Sequence, residues 1–515
     1  MTNAGETFQQ NEILLTGSNG FLGKVALGLA LDRYPQLKHL HLLLRPGAWV
    51  SASERFEKEI AKSPALAGIM DGLGPRAARG KISVWEGDVG KELCGLRAND
   101  IEKLRGRVQL IINCAGNVDF FPPLDEAMRS NVDGVEQVAR LAKRLGAKLV
   151  HVSTCFVSGE ADGLIEESDA ILGFYPRRKD ARDRSFDYRQ EINYVREQLH
   201  LIEESVAGST HSKEPRERRV ALGRRRAEHW GWVNAYTYTK SVGEQIIAAE
   251  ESLDWAIVRP AIIESALRFP FPGWIEGGRT AAPLVLMALG GMKHWPVRRD
   301  TPLEVVPVDL AAAALWVVAA TVLAGQHERV YQLGTADVHP IRLGSLVDLL
   351  VRESQRRDRG RGNGSARLTI RRWVSSSPAR IVTASEMRRR RERLARRIRK
   401  VQSVLDRMGR MARQAGLPGQ RSLFQLASKL RTIELQARFR EQTLDQYLPF
   451  VLHNRYIFES ENIRAAYAQL TSNDRELLPW DPERINWKKY WTDQQIAGIE
   501  RWIQPEAVKD WAFKI

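Results

Sequence analysis

The sequence predicts an α/β fold, a doubly wound parallel sheet with a smaller, mainly helical C-terminal region. Three observations predict it. Short apolar runs suited to buried strands alternate with helical patterns between Ile13 and Val258. Each run ends in small or polar residues, at the strand C-termini where open sheets of this kind bind ligands. Beyond about residue 380 long amphipathic segments replace the strand-like runs, and the first of them is strongly basic.

The first run, Ile13–Thr16, leads into Gly17-Ser18-Asn19-Gly20-Phe21-Leu22-Gly23 and a helical pattern over Phe21–Arg33. Glycines three residues apart permit a tight turn, a backbone that approaches a pyrophosphate, and close packing of helix on strand. The helix N-terminus then aims its N–H groups at the phosphates. Lys38–Leu44 reads as a second buried strand ending at Arg45. An arginine at that strand end accommodates a 2′-phosphate, so the expected cofactor is NADPH rather than NADH. Ile82–Glu86 is the third strand, after which Asp88, with Val89 beside it, is placed to accept from the adenine amino group. Val108–Asn113 is the fourth, running into Cys114-Ala115-Gly116-Asn117, a small-residue turn where backbone can lie against the cofactor. The helix Leu124–Leu145 carries Asn131, Lys148–Val152 supplies a fifth strand, and Trp255–Val258 a sixth that leads to Arg259-Pro260.

The fifth strand ends in Ser153-Thr154-Cys155, and the polar stretch Glu160–His229 that follows reads as an insertion over the ligand edge, with a helix near Glu191–Val206. After it, Tyr236 and Lys240 lie four apart and share one face of a helix. A phenol and an ammonium on one face, opposite a hydroxyl at a strand end, form a proton-transfer constellation. The ammonium is expected to lower the tyrosine pKa, and Thr154 to orient a carbonyl oxygen.

Composition narrows the classes. The chain has 515 residues, 43% hydrophobic and 27% charged, enough for two or three domains with substantial cores. Cys94, Cys114 and Cys155 show neither disulfide nor zinc spacing, so no metal is expected and a reducing cytoplasmic setting fits. MTNAGETFQQ does not read as a signal peptide. The longest apolar stretch, Leu310–Ala324, is shorter than the ~20 residues a bilayer needs and reads as a buried helix. Lys and Arg exceed Asp and Glu by 16, but Arg388–Arg413 alone holds 12 basic and 2 acidic residues. The tryptophans near the C-terminus, Trp480, Trp487, Trp491, Trp502 and Trp511, carry no RNA-binding signature and suit a core or a chain tunnel; no nucleic acid is expected.

The combination TGSNGFLG, HLLLRPG, GDV, VSTCFVSG, NAYTYTK and VRPAIIESALRFPFPGWIEG resembles the extended short-chain dehydrogenase/reductases, specifically the fatty acyl-CoA reductases, over about Ile13–Gly278. Arg259–Gly278 separates this resemblance from the sugar-nucleotide epimerases. The resemblance implies a Rossmann-type sheet and NADPH-dependent reduction of a long-chain acyl thioester, carried by CoA or acyl carrier protein, through an aldehyde to the primary alcohol. It implies that Thr154, Tyr236 and Lys240 do the chemistry. It also implies a cofactor set of Thr16, Gly17, Asn19, Gly20, Phe21, Leu22, Gly23, Arg45, Asp88, Val89, Ala115 and Asn117, shared by Tyr236 and Lys240, with Ser153, Arg259, Pro260 and Ile263 toward the substrate. Gly116 departs from the family, which more often has alanine there. A two-electron reductase that stops at the aldehyde, a sugar or sterol dehydrogenase, and a silent nucleotide sensor are the rivals. The last would not be expected to keep Thr154, Tyr236 and Lys240 together.

The expected organisation is a cofactor domain over 1–380, with interleaved substrate parts at about 160–232 and 261–291, then a basic helical hairpin over 381–445 and a helical cap over 446–515. Ala261–Gly291, rich in Pro, Gly and aromatics, suits the irregular wall of an acyl channel. Val305–Asp309 and Val330–Pro340 read as a strand pair returning to the sheet. In the hairpin, Leu394, Ile398, Val401, Leu405, Met408, Ala412 and Ala415 recur at fours and threes, as do Leu423, Leu426, Leu430, Ile433 and Ala437, with Gly416–Gly419 between them. Its basic face is expected to guide an anionic carrier or to touch a membrane surface peripherally.

Overall fold

The computed structural model describes residues 1–180, 182–183, 185–206, 214–278, 280–360, 378–414 and 420–503. They form two compact units, each assembled from separated segments. The first comprises Met1–Gly277, Glu304–Pro340 and Tyr456–Gly498; the second comprises Gly278–Leu303, Ile341–Arg455 and the segment from Ile499. This partition interleaves along the chain, whereas the sequence reading divides it consecutively at 380 and 445, because compactness follows contacts and not chain order.

The first unit is built on seven parallel strands: β1 (Glu12–Thr16), β2 (His39–Leu44), β3 (Ile82–Glu86), β4 (Val108–Asn113), β5 (Lys148–Val152), β6 (Trp255–Pro260) and β7 (Val330–Leu333). Their order is β7-β6-β5-β4-β1-β2-β3, so the winding reverses between β1 and β4. There the register sets Thr16 beside Asn113, and both strands stop together. Strands covered on both faces are continuously apolar, as Leu110, Ile111 and Ile112 are in β4, each fully buried. The helices that cover them include α1 (Phe21–Arg33), α2 (Gly134–Leu145), α3 (Tyr188–Val206), α4 (Glu214–Trp230), α5 (Ala235–Ala248) and α6 (Val308–Leu323).

Two expectations change. The helix expected over Leu124–Leu145 is continuous but widens to a π-helical turn at Arg129–Asp133, the segment that contains Asn131. Val305–Pro307 does not return to the main sheet; it pairs in parallel with Ile262–Glu264, and only Val330–Leu333 joins the sheet, against β6. The chain between them is α6, buried along almost its whole length, as its unbroken run of Ala, Val, Leu and Trp requires. No described helix is long and apolar enough to cross a membrane.

The second unit holds the hairpin of α7 (Ala384–Gln414) and α8 (Gln420–Leu448). The helices run antiparallel, Gly409 lying against the Phe424 ring near the turn and Arg391 facing Asp445 at the far end. Ile398 and Ala427 are buried between them, with Leu405, Leu423 and Leu430 half-buried. Leu394, Val401, Met408 and Leu426, expected in that seam, are exposed. One helix covers only one narrow stripe of its partner, and the apolar pattern is wider than that. Ala415, Gly416–Gly419 and Trp511 lie outside the described residues, as do the side chains of Ala412, Ile433 and Ala437.

Candidate active site

The site lies at the C-terminal ends of β1, β4, β5 and β6. Gly17 has φ +70°, and a Cβ on it would stand 2.6 Å from the Ala115 nitrogen; a Cβ on Gly23 would stand 2.2 Å from the Gly17 oxygen. The turn is therefore closed to side chains on both sides, and Gly20, at the α1 N-cap, brings none to fill the first-turn N–H groups. Thr16 Oγ1 donates to Asn113 Oδ1 at 2.6 Å and accepts from the Ala115 N–H at 3.2 Å, which stitches β1 to the turn after β4. Ser18 is fully buried, and its hydroxyl has no partner among the described residues. An open cradle of N–H groups with an orphaned hydroxyl in the same turn fits a dinucleotide pyrophosphate.

Arg45 stands exposed at the end of β2. Arg55, absent from the sequence reading, donates to the Arg45 carbonyl at 2.6 Å and pairs with Glu59 at 2.7 Å. Glu59 also bonds Asn19 of the glycine turn, so the two arginines are tied to the phosphate cradle. The signal for Arg55 was its place after the capping box Ser51–Glu54, which starts a helix beside the β2 end. Asp88 accepts from the Gly90 N–H at 3.0 Å and from Arg129 at 2.6 Å, so its carboxylate orders the turn after β3. Val89 packs beside Gly134 at the start of α2.

Asn117 is held by a single side chain. Asn131, in the π-helical turn, accepts from the Asn117 N–H at 2.8 Å, donates to its carbonyl at 2.9 Å, and donates to Thr239 of α5 at 3.1 Å. A Cβ on Gly116 would come within 3.0 Å of both Asn131 Oδ1 and Lys240 Nζ, so the glycine leaves room around the lysine.

Three side chains converge where β5 ends. Thr154 caps the short helix after it, and its hydroxyl is hydrogen-bonded to the Tyr236 hydroxyl. Thr154 Oγ1 also lies 3.4 Å from the Pro260 carbonyl. Lys240, one turn beyond Tyr236 on α5, donates to the Val152 carbonyl at 2.9 Å. Burial raises the Tyr236 pKa to about 12 and lowers that of Lys240 to about 8. The expected lowering of Tyr236 by the ammonium does not occur: desolvation raises its pKa, and the opposing pull comes from the Thr154 hydrogen bond. The tyrosine is a firmly protonated donor. Ser153 is buried beside them, its hydroxyl without a partner among the described residues.

The structure does not bring Arg259 to this group. Its guanidinium is buried in a bidentate pair with Glu244 of α5, at 2.9 and 2.6 Å, and fixes helix to strand. Ile263 is half-buried in the small parallel pair with Val305–Pro307. Glu191, near the start of α3, accepts from Tyr238 at 2.6 Å and from Arg226 of α4 at 2.8 and 2.6 Å. The insertion thereby grips α5 two residues from Tyr236, a role the sequence hid because Glu191 sits in a run of other charges. Behind β5, Tyr456 and Phe458 pack edge-on against Phe156 at 5.2 Å each, and Trp480, Trp487, Tyr490 and Trp491 are buried.

Comparison with known proteins agrees with this architecture. The profile of the family described as male sterility protein matches residues 15–315. Among curated relatives, the probable fatty acyl-CoA reductase 4 of Arabidopsis thaliana is 27% identical, over 98% of this chain and 99% of its own. The alcohol-forming fatty acyl-CoA reductase of Simmondsia chinensis is 30% identical, over 67% of this chain and 70% of its own. Among solved structures, the terminal R domain of the myxalamid PKS-NRPS biosynthetic pathway shares the fold, with a TM-score of 0.55 at 16% identity over 96% of this chain and 91% of that one. The reductase domain of a non-ribosomal peptide synthetase from Mycobacterium tuberculosis does likewise, with a TM-score of 0.51 at 16% identity over 97% and 95%. A seven-stranded sheet that reverses at a glycine cradle, with Thr154, Tyr236 and Lys240 at its edge, is thus matched in sequence over more than half its length, and the chain belongs to the male sterility protein family as a fatty acyl-CoA reductase of the extended short-chain dehydrogenase/reductases.

Proposed function

We propose that the chain reduces long-chain fatty acyl-CoA, through a bound aldehyde, to the primary alcohol with release of CoA, and that NADPH is its reductant. The observation that carries the reading is the hydrogen-bonded Thr154–Tyr236 pair beside buried Lys240, next to the phosphate cradle. Gly17, Gly20 and Gly23 would hold the pyrophosphate, and Arg45 with Arg55 the 2′-phosphate. When bound, the reduced nicotinamide supplies the hydride in each of the two stages.

Tyr236 donates its proton to the carbonyl oxygen as that oxygen gains charge, and Thr154 fixes the direction of transfer. A tyrosine of pKa about 12 is fully protonated at neutral pH, which suits this task. Lys240, held by Val152, places a positive charge at the base of the site; since its pKa is about 8, it is charged at neutral pH and loses that charge as pH rises. In the first stage the hydroxyl proton of the tetrahedral hemithioacetal passes to the sulfur, the C–S bond breaks as the C=O bond forms, and thiol and aldehyde result, while Tyr236 regains a proton from solvent. In the second the aldehyde oxygen receives the Tyr236 proton and the alcohol is complete.

The test is NADPH consumption with a long-chain acyl-CoA, with free thiol and extracted product quantified together. Two NADPH per thiol with alcohol as product is expected. One NADPH per thiol with accumulating aldehyde, or no consumption, would refute the four-electron reading. For the cofactor, Arg45→Ala and Arg55→Ala are expected to raise KM for NADPH by ~10-fold or more and leave KM for NADH nearly unchanged, since each removes a charge-assisted phosphate contact. Equal effects on both cofactors would refute the assignment of the 2′-phosphate site.

A further inference from the structure

The hairpin of the second unit carries two apolar faces where its own packing needs one. On α7, Ile398, Leu405 and Gly409 face α8. Leu394, Val401, Val404, Met408 and Met411 recur at seven, three, four and three, which places them on a second stripe of the helix, and each is 49–61% exposed. Phe424 and Leu426 on α8 are exposed as well, so this hairpin holds seven of the fourteen large hydrophobic residues exposed among the described residues. Hydrophobic side chains scattered singly need no explanation, but a stripe does.

The charge around the stripe decides what covers it. Arg388–Arg413 carries 12 basic and 2 acidic residues. Arg393, Arg396, Lys400 and Arg407 follow one another along the flank of the stripe at helical spacing. Among the described residues none of Arg396, Arg397, Arg399 and Lys400 is paired with a carboxylate. A second copy would bring two strongly positive helices together. A nucleic-acid duplex would answer the charge and leave the stripe in water. A surface that is anionic at its face and apolar just beneath answers both, because long arginine and lysine side chains reach up to head groups while the stripe enters the acyl boundary.

We infer that α7 is an interfacial helix, whose Leu394–Met411 stripe and flanking arginines seat the protein on an anionic phospholipid bilayer. The stripe spans roughly 26 Å at 1.5 Å per residue, so the helix lies along the surface and does not cross it. The inference is independent of the reaction proposed above.

The test is co-sedimentation of the full chain with vesicles of phosphatidylcholine alone and of phosphatidylcholine mixed with phosphatidylglycerol. The protein is expected to pellet with the mixed vesicles and not with the neutral ones, and to be released by high salt. Two variants divide the contributions: Val404→Glu with Met408→Glu removes the stripe, and Arg396→Gln, Arg397→Gln and Lys400→Gln removes charge. Each is expected to weaken partition by ~10-fold or more, the first even at low salt. The substituted side chains stand on the surface, so circular dichroism and turnover of a short, micelle-free acyl-CoA are expected to match the parent protein. A chain without reductase activity would still bind vesicles, so the two readings fail separately. Failure to bind mixed vesicles, equal binding to neutral ones, or binding that both variants retain would overturn the inference. So would a dimer that Met408→Glu dissolves without lipid, or retention only by a DNA duplex or an acidic carrier protein.

Discussion

Helices α5 and α7 are both rich in polar residues, and the protein uses them in opposite ways. In α5, twelve of fourteen residues are buried. In α7, which has thirty-one residues, only Ile398 and Gly409 are buried among the described side chains. Burial obliges every polar group in α5 to find a partner. Tyr236 finds Thr154, Tyr238 finds Glu191, Thr239 finds Asn131, Lys240 finds the Val152 carbonyl, and Glu244 finds Arg259. Each bond also fixes the helix in one position, so Tyr236 and Lys240 are held by the same contacts that satisfy their neighbours. Most charges of α7 stand exposed, and Arg396, Arg397, Arg399 and Lys400 are paired with no carboxylate among the described residues. Polar residues therefore specify geometry where they are desolvated and specify only a field where they are not.

Tyr236→Phe tests the buried helix most severely. Removing a positioned proton donor costs ~10²–10⁴-fold in turnover. The thermal midpoint is expected to stay within a few degrees, because the ring keeps its packing against Phe120. Full turnover in the variant would place the proton donor elsewhere.

Glu191→Ala comes next. Glu191 is 5% exposed and answers both Tyr238 and Arg226, the latter 16% exposed. Breaking a buried pair by deleting one partner leaves the other charge uncompensated, at about 3–5 kcal/mol. Denaturant unfolding should show a loss of that size, with Glu191→Gln in between. A loss under about 1 kcal/mol would mean that the insertion does not hold α5, since such a value is ordinary for a surface site.

The contrast between the helices was only half legible in the sequence. Gly17, Gly20 and Gly23 in one strand–turn–helix segment, and Tyr236 with Lys240 on one helix, could be placed from spacing that the chain itself displays, and Thr154 from its place at a strand end. All seven strands of the main sheet could be read from the chain, the last of them, Val330–Leu333, within the longer stretch Val330–Pro340. Asn131, Arg55 and Glu191 act on residues 14, 10 and 47 positions away respectively, across elements whose packing no local pattern contains. Arg259 misleads for the converse reason. It sits at a strand end like the site residues, and only the fold shows Glu244 beneath it. The seam of the hairpin was over-read, because periodicity marks apolar residues and does not say which of two faces a partner covers.

Glu304 extends the comparison beyond α5. It is 3% exposed and accepts backbone N–H groups of Phe458, Thr335 and Ala336 at 2.7, 3.0 and 3.3 Å. Burial nevertheless raises its pKa from 4.5 to about 7, against the pull of those bonds. A carboxyl group whose folded pKa lies above its unfolded one holds its proton more tightly when folded. Its contribution is fully present below about 4.5 and is lost as pH rises through about 7. The stability of the protein relative to Glu304→Gln should therefore fall by about 3 kcal/mol between those limits and stay level above them. A difference that does not change with pH would show that the bonds to backbone N–H groups outweigh desolvation.

The smallest effect belongs to α7, and its smallness is what makes it informative. Substituting Arg396, Arg399 or Lys400 singly with Gln should change unfolding free energy by no more than about 0.5 kcal/mol, because none has a carboxylate partner among the described residues and glutamine is nearly as good a helix former. Removing like charge from a helix this basic relieves repulsion, so the sign should lean toward stabilisation and shrink as salt is added. Stability measured by chemical denaturation at low and high ionic strength would show it. A loss above about 1 kcal/mol from any one of them would mean that the arginine is buried against a partner in solution. The region would then resemble α5, with charge fixing geometry. A slight, salt-sensitive gain would mean that these charges add nothing to the fold, and that their place in the sequence is explained by what the helix meets outside it.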